Sequence, residues 1–308
     1  MITRRRFIKK AGSIGIALYG ASYGIQGLLK HAESAEGTIP DLVVTKNASP
    51  STLTRKAIDA LGGMKKFVSR GDVVVLKPNI GWDRTPEQAA NTNPEVVLEL
   101  IRMAYEAGAK KVKVFDRTCN SPERCYINSG IAKAVKSVDG EISHISDRGF
   151  IRVDLPHAQL LKSWLVYKEA LDADVLINVP VAKHHGLTNL TLAMKNWMGF
   201  LGDDRGKIHQ DIHQNLADIN TLFKAKLTVI DAIRILVANG PSGGNLEDVR
   251  RLDTIIAGTN CIAADSYGAT LFGLKGSDLG FIRNGYRMGL GEMDLAKLNV
   301  KVIDVGSA

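Results

Sequence analysis

The chain has 308 residues, 45% of them hydrophobic and 23% charged, with a formal net charge of +8. Six of its 40 Lys/Arg and one of its 32 Asp/Glu fall in residues 1–34, so the remainder carries only about +3. That excess is spread along the chain, which argues against nucleic acid as a partner, since nucleic-acid binding favours a clustered basic face.

The chain opens Thr3-Arg4-Arg5-Arg6-Phe7-Ile8-Lys9. Adjacent arginines, an apolar pair and a lysine before an apolar run match the twin-arginine export signal. The run that follows, Ala11 to Leu29, is rich in Gly, Ala and Ser. It is weakly apolar for a spanning helix, which needs about 20 strongly apolar residues. Residues 1–34 are therefore expected to be a signal read by the twin-arginine translocation machinery, with cleavage after Ser34 and an uncleaved anchor as the alternative. The expected location is the periplasm or cell envelope. Because that route carries folded proteins, it also raises the expectation of a cofactor.

Beyond residue 34 the pattern is that of a single α/β domain. Short β-branched runs at Leu42–Thr45, Val73–Lys77, Val112–Asp116, Val175–Val179, Leu227–Asp231, Thr254–Ala257 and Val300–Asp304 read as strands. Helical patterns lie between them. Pro94 opens one with Val97, Leu100, Ile101 and Ala104 in 3.6-residue period, and Gly108 ends it. Another runs from Ile262 to Phe272. Alternation of this kind predicts a mostly parallel or mixed sheet with helices on both faces. Lys77, Asp116, Asn178 and Asp231 end strands, where open α/β sheets bind ligands. Asp116 is read as a helix cap.

Three segments hold more polar residues than packing needs. Lys77-Pro78-Asn79, followed by the helix start Asn91-Thr92-Asn93-Pro94, has the makings of an anion site or of a capped surface turn. Asn178-Val179-Pro180-Val181-Ala182-Lys183-His184-His185-Gly186 is followed by Thr188, Thr191 and Lys195, which are expected on one helix face. A lysine in apolar surroundings can serve as nucleophile, base or fixed cation. The third segment, His209-Gln210-Asp211-Ile212-His213, places two histidines at i and i+4. With His184 it suggests a divalent metal bound by His184, His209 and His213. The open alternative is histidines that hydrogen-bond a substrate or brace a loop. Asn239-Gly240-Pro241-Ser242-Gly243-Gly244 is a turn that lets backbone approach a ligand, or a plain loop. Asp265, inside an apolar helix, needs a partner, expected to be a lysine or histidine.

The three cysteines are Cys119, Cys125 and Cys261, with no CxxC pair, so no cysteine-ligated iron–sulfur cluster is expected in this chain. Cys119 and Cys125 form a short disulfide loop or stay as two thiols.

In their joint order, Lys77-Pro78-Asn79, Asn178 to His184, Lys195-Asn196-Trp197-Met198-Gly199, His209, Asp231, Gly240-Pro241 with Gly243, and Ala264-Asp265 resemble the family called domain of unknown function 362. The resemblance runs from about Leu42 to the C-terminus. It implies a redox association, because ferredoxin-type modules are often fused to such domains. Here a separate iron–sulfur electron-transfer protein would supply the electrons.

The residues expected to carry chemistry are Lys183, His184, Lys195, His209 and Asp265. Those expected to contact a small anionic ligand or cofactor are Lys77, Asn79, Asn178, Asn196, Gly240 and Gly243. The competing readings are a non-catalytic anion-binding module and a metal-dependent hydrolase built on the three histidines.

Overall fold

The computed structural model describes residues 39–306. The export signal expected over residues 1–34 lies outside them. Twelve strands are described: β1 (Leu42–Lys46), β2 (Val73–Pro78), β3 (Lys111–Val114), β4 (Glu141–Ile142), β5 (Phe150–Asp154), β6 (Ser163–Tyr167), β7 (Val175–Val179), β8 (Val181–His185), β9 (Asn189–Thr191), β10 (Leu227–Leu236), β11 (Val249–Gly258) and β12 (Val300–Asp304). The α-helices are α1 (Pro50–Ala60), α2 (Pro94–Glu106), α3 (Pro122–Asn128), α4 (Ile131–Lys136), α5 (Lys168–Leu171), α6 (Ala193–Asn196), α7 (Ile212–Leu222), α8 (Cys261–Thr270) and α9 (Gly280–Arg287).

Ten strands form one mixed sheet in the order β12-β1-β11-β10-β7-β2-β3-β4, with β8 added to β10 and β9 to β8. The run β10-β7-β2-β3-β4 is parallel throughout. β11 lies antiparallel between β1 and β10. β5 and β6 form a separate antiparallel pair.

Period-two alternation sends neighbouring side chains to opposite faces. Val43, Val74 and Leu76 join α1 and α2 in one core, whereas Leu42, Val44 and Val75 join α7, α8 and α9 in the other. Helices thus cover both faces, as the alternating sequence pattern implies. Among the described residues no helix is long and apolar enough to cross a membrane.

All seven expected strands form, and α2 starts at Pro94 with Asn93 as its cap, the Asn93 side chain accepting from the Glu95 N–H at 2.9 Å. Two local expectations are overturned. Residues 181–191 form the β8–β9 hairpin. The His185 ring closes its turn, Nδ1 accepting from the N–H of Leu187 at 3.1 Å. The expected helix face of Thr188, Thr191 and Lys195 therefore does not exist, and only Lys195 is helical, in the short α6. His209 and His213 do not share a helical face either. His209 lies in a 3₁₀ segment, Lys207–Asp211, and non-helical backbone at Asp211 (φ −126°, ψ 52°) resets the phase before α7.

Candidate functional site

A cleft of about 330 Å³ opens at the carboxyl ends of β2 and β3 and beside the β8–β9 hairpin, where open α/β sheets place ligands. Its floor is a buried ion pair. Lys77, fully buried near the end of β2, places Nζ 2.9 Å from Asp116 Oδ1. Asp116 Oδ2 accepts from the Ile80 N–H at 2.6 Å. Asp116 is therefore an ion-pair partner, correcting its reading as a helix cap: the chain after β3 turns across the strand end instead of starting a helix there. Burial lowers the Lys77 pKa, and the Asp116 carboxylate opposes that shift. Gly199 makes room for the pair, because a Cβ there would lie 1.8 Å from Asp116 Oδ1 and 2.7 Å from Lys77 Nζ.

Above this floor an amide network fixes the strand ends. Asn196 Nδ2 donates to Lys77 O at 2.9 Å and to Asn178 Oδ1 at 2.8 Å. Asn178 Nδ2 donates to Ala193 O at 2.9 Å. Asn178 is wholly buried and spends its amide on the protein, so it positions α6 rather than meeting a ligand. Asn79 and Asn196 do line the cleft.

Four further cations face the cleft: Lys183, Lys195, Arg117 and Arg205. All four are held by neutral atoms. Lys183 Nζ donates to Ala90 O at 2.5 Å and Asn79 Oδ1 at 3.1 Å. Lys195 Nζ lies 3.2 Å from Met198 Sδ. Arg117 donates to the carbonyls of Leu201 and Asp203. Arg205 donates to those of Arg117 and Thr118. Burial lowers Lys183 to about 7 and Lys195 to about 8, opposed by Cys119 and, at Lys183, by Asp116, with neighbouring cations adding to the shift. The Cys119 thiol sits in the same cleft, 3.9 Å from the Arg205 guanidinium. Cys119 and Cys125 are free thiols, the first exposed and the second buried.

Two histidines line the cleft, His185 and His209, with near-parallel rings 6.4 Å apart. Burial lowers both, His185 to about 3, so both are neutral at physiological pH. His185 Nδ1 accepts from backbone, which places its proton on Nε2. His209 Nδ1 lies 2.9 Å from Arg205 O and donates to it, which leaves Nε2 as an acceptor. One ring thus offers a donor and the other a lone pair.

Several expected site residues stand elsewhere. His184 is not part of the cleft lining; its Nδ1 accepts from the Gly240 N–H at 3.1 Å. His213 packs on Phe281 and against Gly280. The three histidines expected to share a metal are thus turned to different surroundings, and among the described residues no three His, Cys, Asp or Glu converge to hold an ion. Gly240 and Gly243 are approached by protein rather than ligand: a Cβ on Gly240 would lie 2.0 Å from His184 O, and one on Gly243 2.9 Å from Leu236. Pro241 is what their turn contributes to the cleft wall.

Asp265 meets neither lysine nor histidine. Its oxygens accept from the N–H groups of Ala193 and Met194 at 2.6 and 2.9 Å, anchoring the start of α6. Asp231 likewise accepts from Asn93 and Ile233. That contact ties the start of α2 to β10 and corrects the expectation of an open anion site at Asn91–Pro94. Arg117, Cys119 and Arg205 also line the cleft without having been singled out for it, and Thr191 lines it from β9 rather than from a helix.

A thylakoid-associated protein of Synechocystis sp. is 29% identical over 219 residues, covering 68% of this chain and 66% of the relative. A Thermotoga maritima protein solved in structural genomics aligns with a TM-score of 0.46 at 11% identity, over 72% of this chain and 59% of that one. The lactate racemase apoprotein of Thermoanaerobacterium thermosaccharolyticum aligns with a TM-score of 0.45 at 10% identity, over 69% of this chain and 53% of that one. The chain thus spans just under two thirds of the curated relative and little more than half of each solved chain. The family model described as domain of unknown function (DUF362) matches residues 74–270, and the chain belongs to that family.

Proposed function

We propose that this is an exported protein that binds a small anionic molecule, carrying a carboxylate or phosphate, in the cleft above the Lys77–Asp116 pair. One observation carries the reading: Lys183, Lys195, Arg117 and Arg205 converge on one cleft, and the contacts that hold them are to carbonyl oxygens, an amide oxygen and a thioether. Of the four, Lys183 and Lys195 are buried, and burying a cation whose hydrogen-bond partners are all neutral is costly. An anion entering the cleft removes that cost and gains charge-assisted hydrogen bonds. The neutral His185 and His209 supply one donor and one acceptor for the uncharged part of the ligand, and His209 can take a proton from it.

The test is titration calorimetry of the exported protein with inorganic phosphate and small carboxylates. Binding that is lost in the Lys183→Met/Lys195→Met double variant supports the reading. A protein that binds none of these anions, or a double variant that binds as tightly as the native chain, overturns it. The export half of the proposal rests on residues 1–34 and is tested by fractionation: Arg4→Lys/Arg5→Lys/Arg6→Lys is expected to retain the protein in the cytoplasm.

A further inference from the structure

The two lysines of the cleft are held differently. Lys183 Nζ donates to two oxygens. A neutral amine has two N–H bonds, so Lys183 is fully committed as a donor even when uncharged. Lys195 is more than nine-tenths buried, yet its Nζ has only the Met198 thioether, a weak acceptor, at 3.2 Å. Thr191, on the adjoining strand of the hairpin, lines the same cleft with its buried Oγ1 lacking a hydrogen-bond partner. A loosely held amine and an unmet hydroxyl therefore border the space in which the anion is proposed to sit. The amine is desolvated by burial, with a smaller push in the same direction from Arg205, and desolvation is one of the settings that turns a lysine into a nucleophile.

We propose that Lys195 forms an imine with a small carbonyl compound that also bears a carboxylate, a 2-oxo acid or an aldehyde acid, whose carboxylate rests on the arginine pair. This deepens the anion-binding reading and rests on it. The Lys195 lone pair attacks the carbonyl carbon and a C–N bond forms. The C=O π bond breaks, and the open Nε2 of His209 carries one proton from the nitrogen to the oxygen, giving a neutral carbinolamine. The nitrogen lone pair then expels the hydroxyl as the C–O bond breaks, the second N–H proton passes through His209 to the departing oxygen, water leaves, and the imine remains. Amine and carbonyl give imine and water, with no change of oxidation state. Near pH 7.5 a lysine at about 8 has a neutral fraction on the order of a hundredfold larger than a surface lysine.

The experiment is reductive trapping. The exported protein is incubated with pyruvate or glyoxylate, treated with borohydride, and read by intact mass and peptide mapping, with calorimetry of the same compounds in parallel. One adduct per chain on the Lys195 peptide, suppressed by excess phosphate and absent in Lys195→Arg, is the expected result. Lys195→Arg keeps the cation, and its denaturation midpoint, measured beside the trapping, separates loss of the nucleophile from loss of the fold. Calorimetric binding of the oxo acids without an adduct overturns the imine and leaves the anion site standing. Adducts spread equally over exposed lysines, unchanged in Lys195→Arg, also overturn it. Failure to bind any anion removes both readings.

Discussion

Two kinds of buried charge lie close together in this molecule, and their surroundings differ. Asp231 and Asp265 are as deeply buried as Lys183 and Lys195. Each carboxyl accepts two backbone N–H bonds that tie separate elements together: α2 to β10 for Asp231, and α6 to α8 for Asp265. The lysines touch one carbonyl, an amide and a thioether, and open onto a cleft. A buried charge saturated by backbone serves the fold. One left facing neutral atoms beside open space is prepared for something from outside. The Lys77–Asp116 pair stands between these cases, with its charge compensated inside the protein at the floor of the same cleft.

That intermediate case gives the largest expected effect. Gly199→Ala drives a methyl group into Asp116 Oδ1 and the end of Lys77. Both groups lie on packed strand ends and have no room to retreat, so the pair must separate. Breaking a buried ion pair costs about 3–5 kcal/mol. Chemical denaturation is expected to show a loss of that size, with anion binding lost as well because the floor of the cleft moves.

Asp265→Asn tests the structural half of the comparison. The side chain keeps its shape, but one oxygen becomes an NH₂ that cannot accept from Ala193 or Met194. A buried N–H left unmet costs about 1–3 kcal/mol. Stability should fall by that amount, with anion affinity falling only as far as α6 shifts. If affinity vanished while stability held, Asp265 would belong to the site and the distinction between the two kinds of charge would fail.

Much of the fold was legible because its signals are local. β-branched runs, Pro94 at a helix start and Asn93 before it act over a few residues, and they gave the strands and α2. The site was legible where a charged residue interrupts an apolar strand, as at Lys77 and Lys183, and where polar residues cluster between apolar runs, as at Asn79, Lys195, Asn196 and His209, which line the cleft. The error at His184 has a simple cause. Read as a strand, Val181–His185 puts Lys183 and His185 on one side and His184 on the other. Only pairing of β8 with β10 and β9, a non-local fact, makes it a strand. Arg117, Cys119 and Arg205 stand on connections without periodicity, and nothing in their neighbours announces the cleft. Asp265 was rightly expected to need a partner. That the partner would be two backbone N–H groups 71 and 72 residues away depends on tertiary structure alone.

Lys195→Met probes the functional half. Replacing a buried, uncompensated cation by an apolar side chain of similar length leaves stability unchanged or raises it, since no carboxylate is stranded. A hydrogen bond to a charged ligand is worth about 1.5–3 kcal/mol, so anion affinity should fall roughly tenfold to a hundredfold. A marked loss of stability in this variant would mean that the lysine serves the fold after all.

The smallest effect is a dependence on pH, and its sign separates the two groups without any mutation in the lysines. In the folded protein Lys183 titrates at about 7 and Lys195 at about 8, both depressed from 10.5. Raising the pH from 7.5 to 9.5 therefore removes their protons while the unfolded chain keeps its own. The unfolded state then binds more protons, so the lysines' contribution to stability rises with pH across this window. The buried carboxyls act in the opposite sense and at lower pH. Burial raises Asp231 to about 6 and Asp265 to about 7, so their contribution falls as pH climbs through these values and flattens only above about 8. His185 and His209, both lowered, are already neutral in this range. Anion affinity measured by calorimetry should fall by about tenfold from pH 7.5 to 9.5, as the cations that hold the ligand discharge. Stability measured by denaturant should rise over the same interval. Affinity and stability moving in opposite directions is the signature of cations kept for a ligand. If both fell together, the lysines would be part of what holds the protein folded.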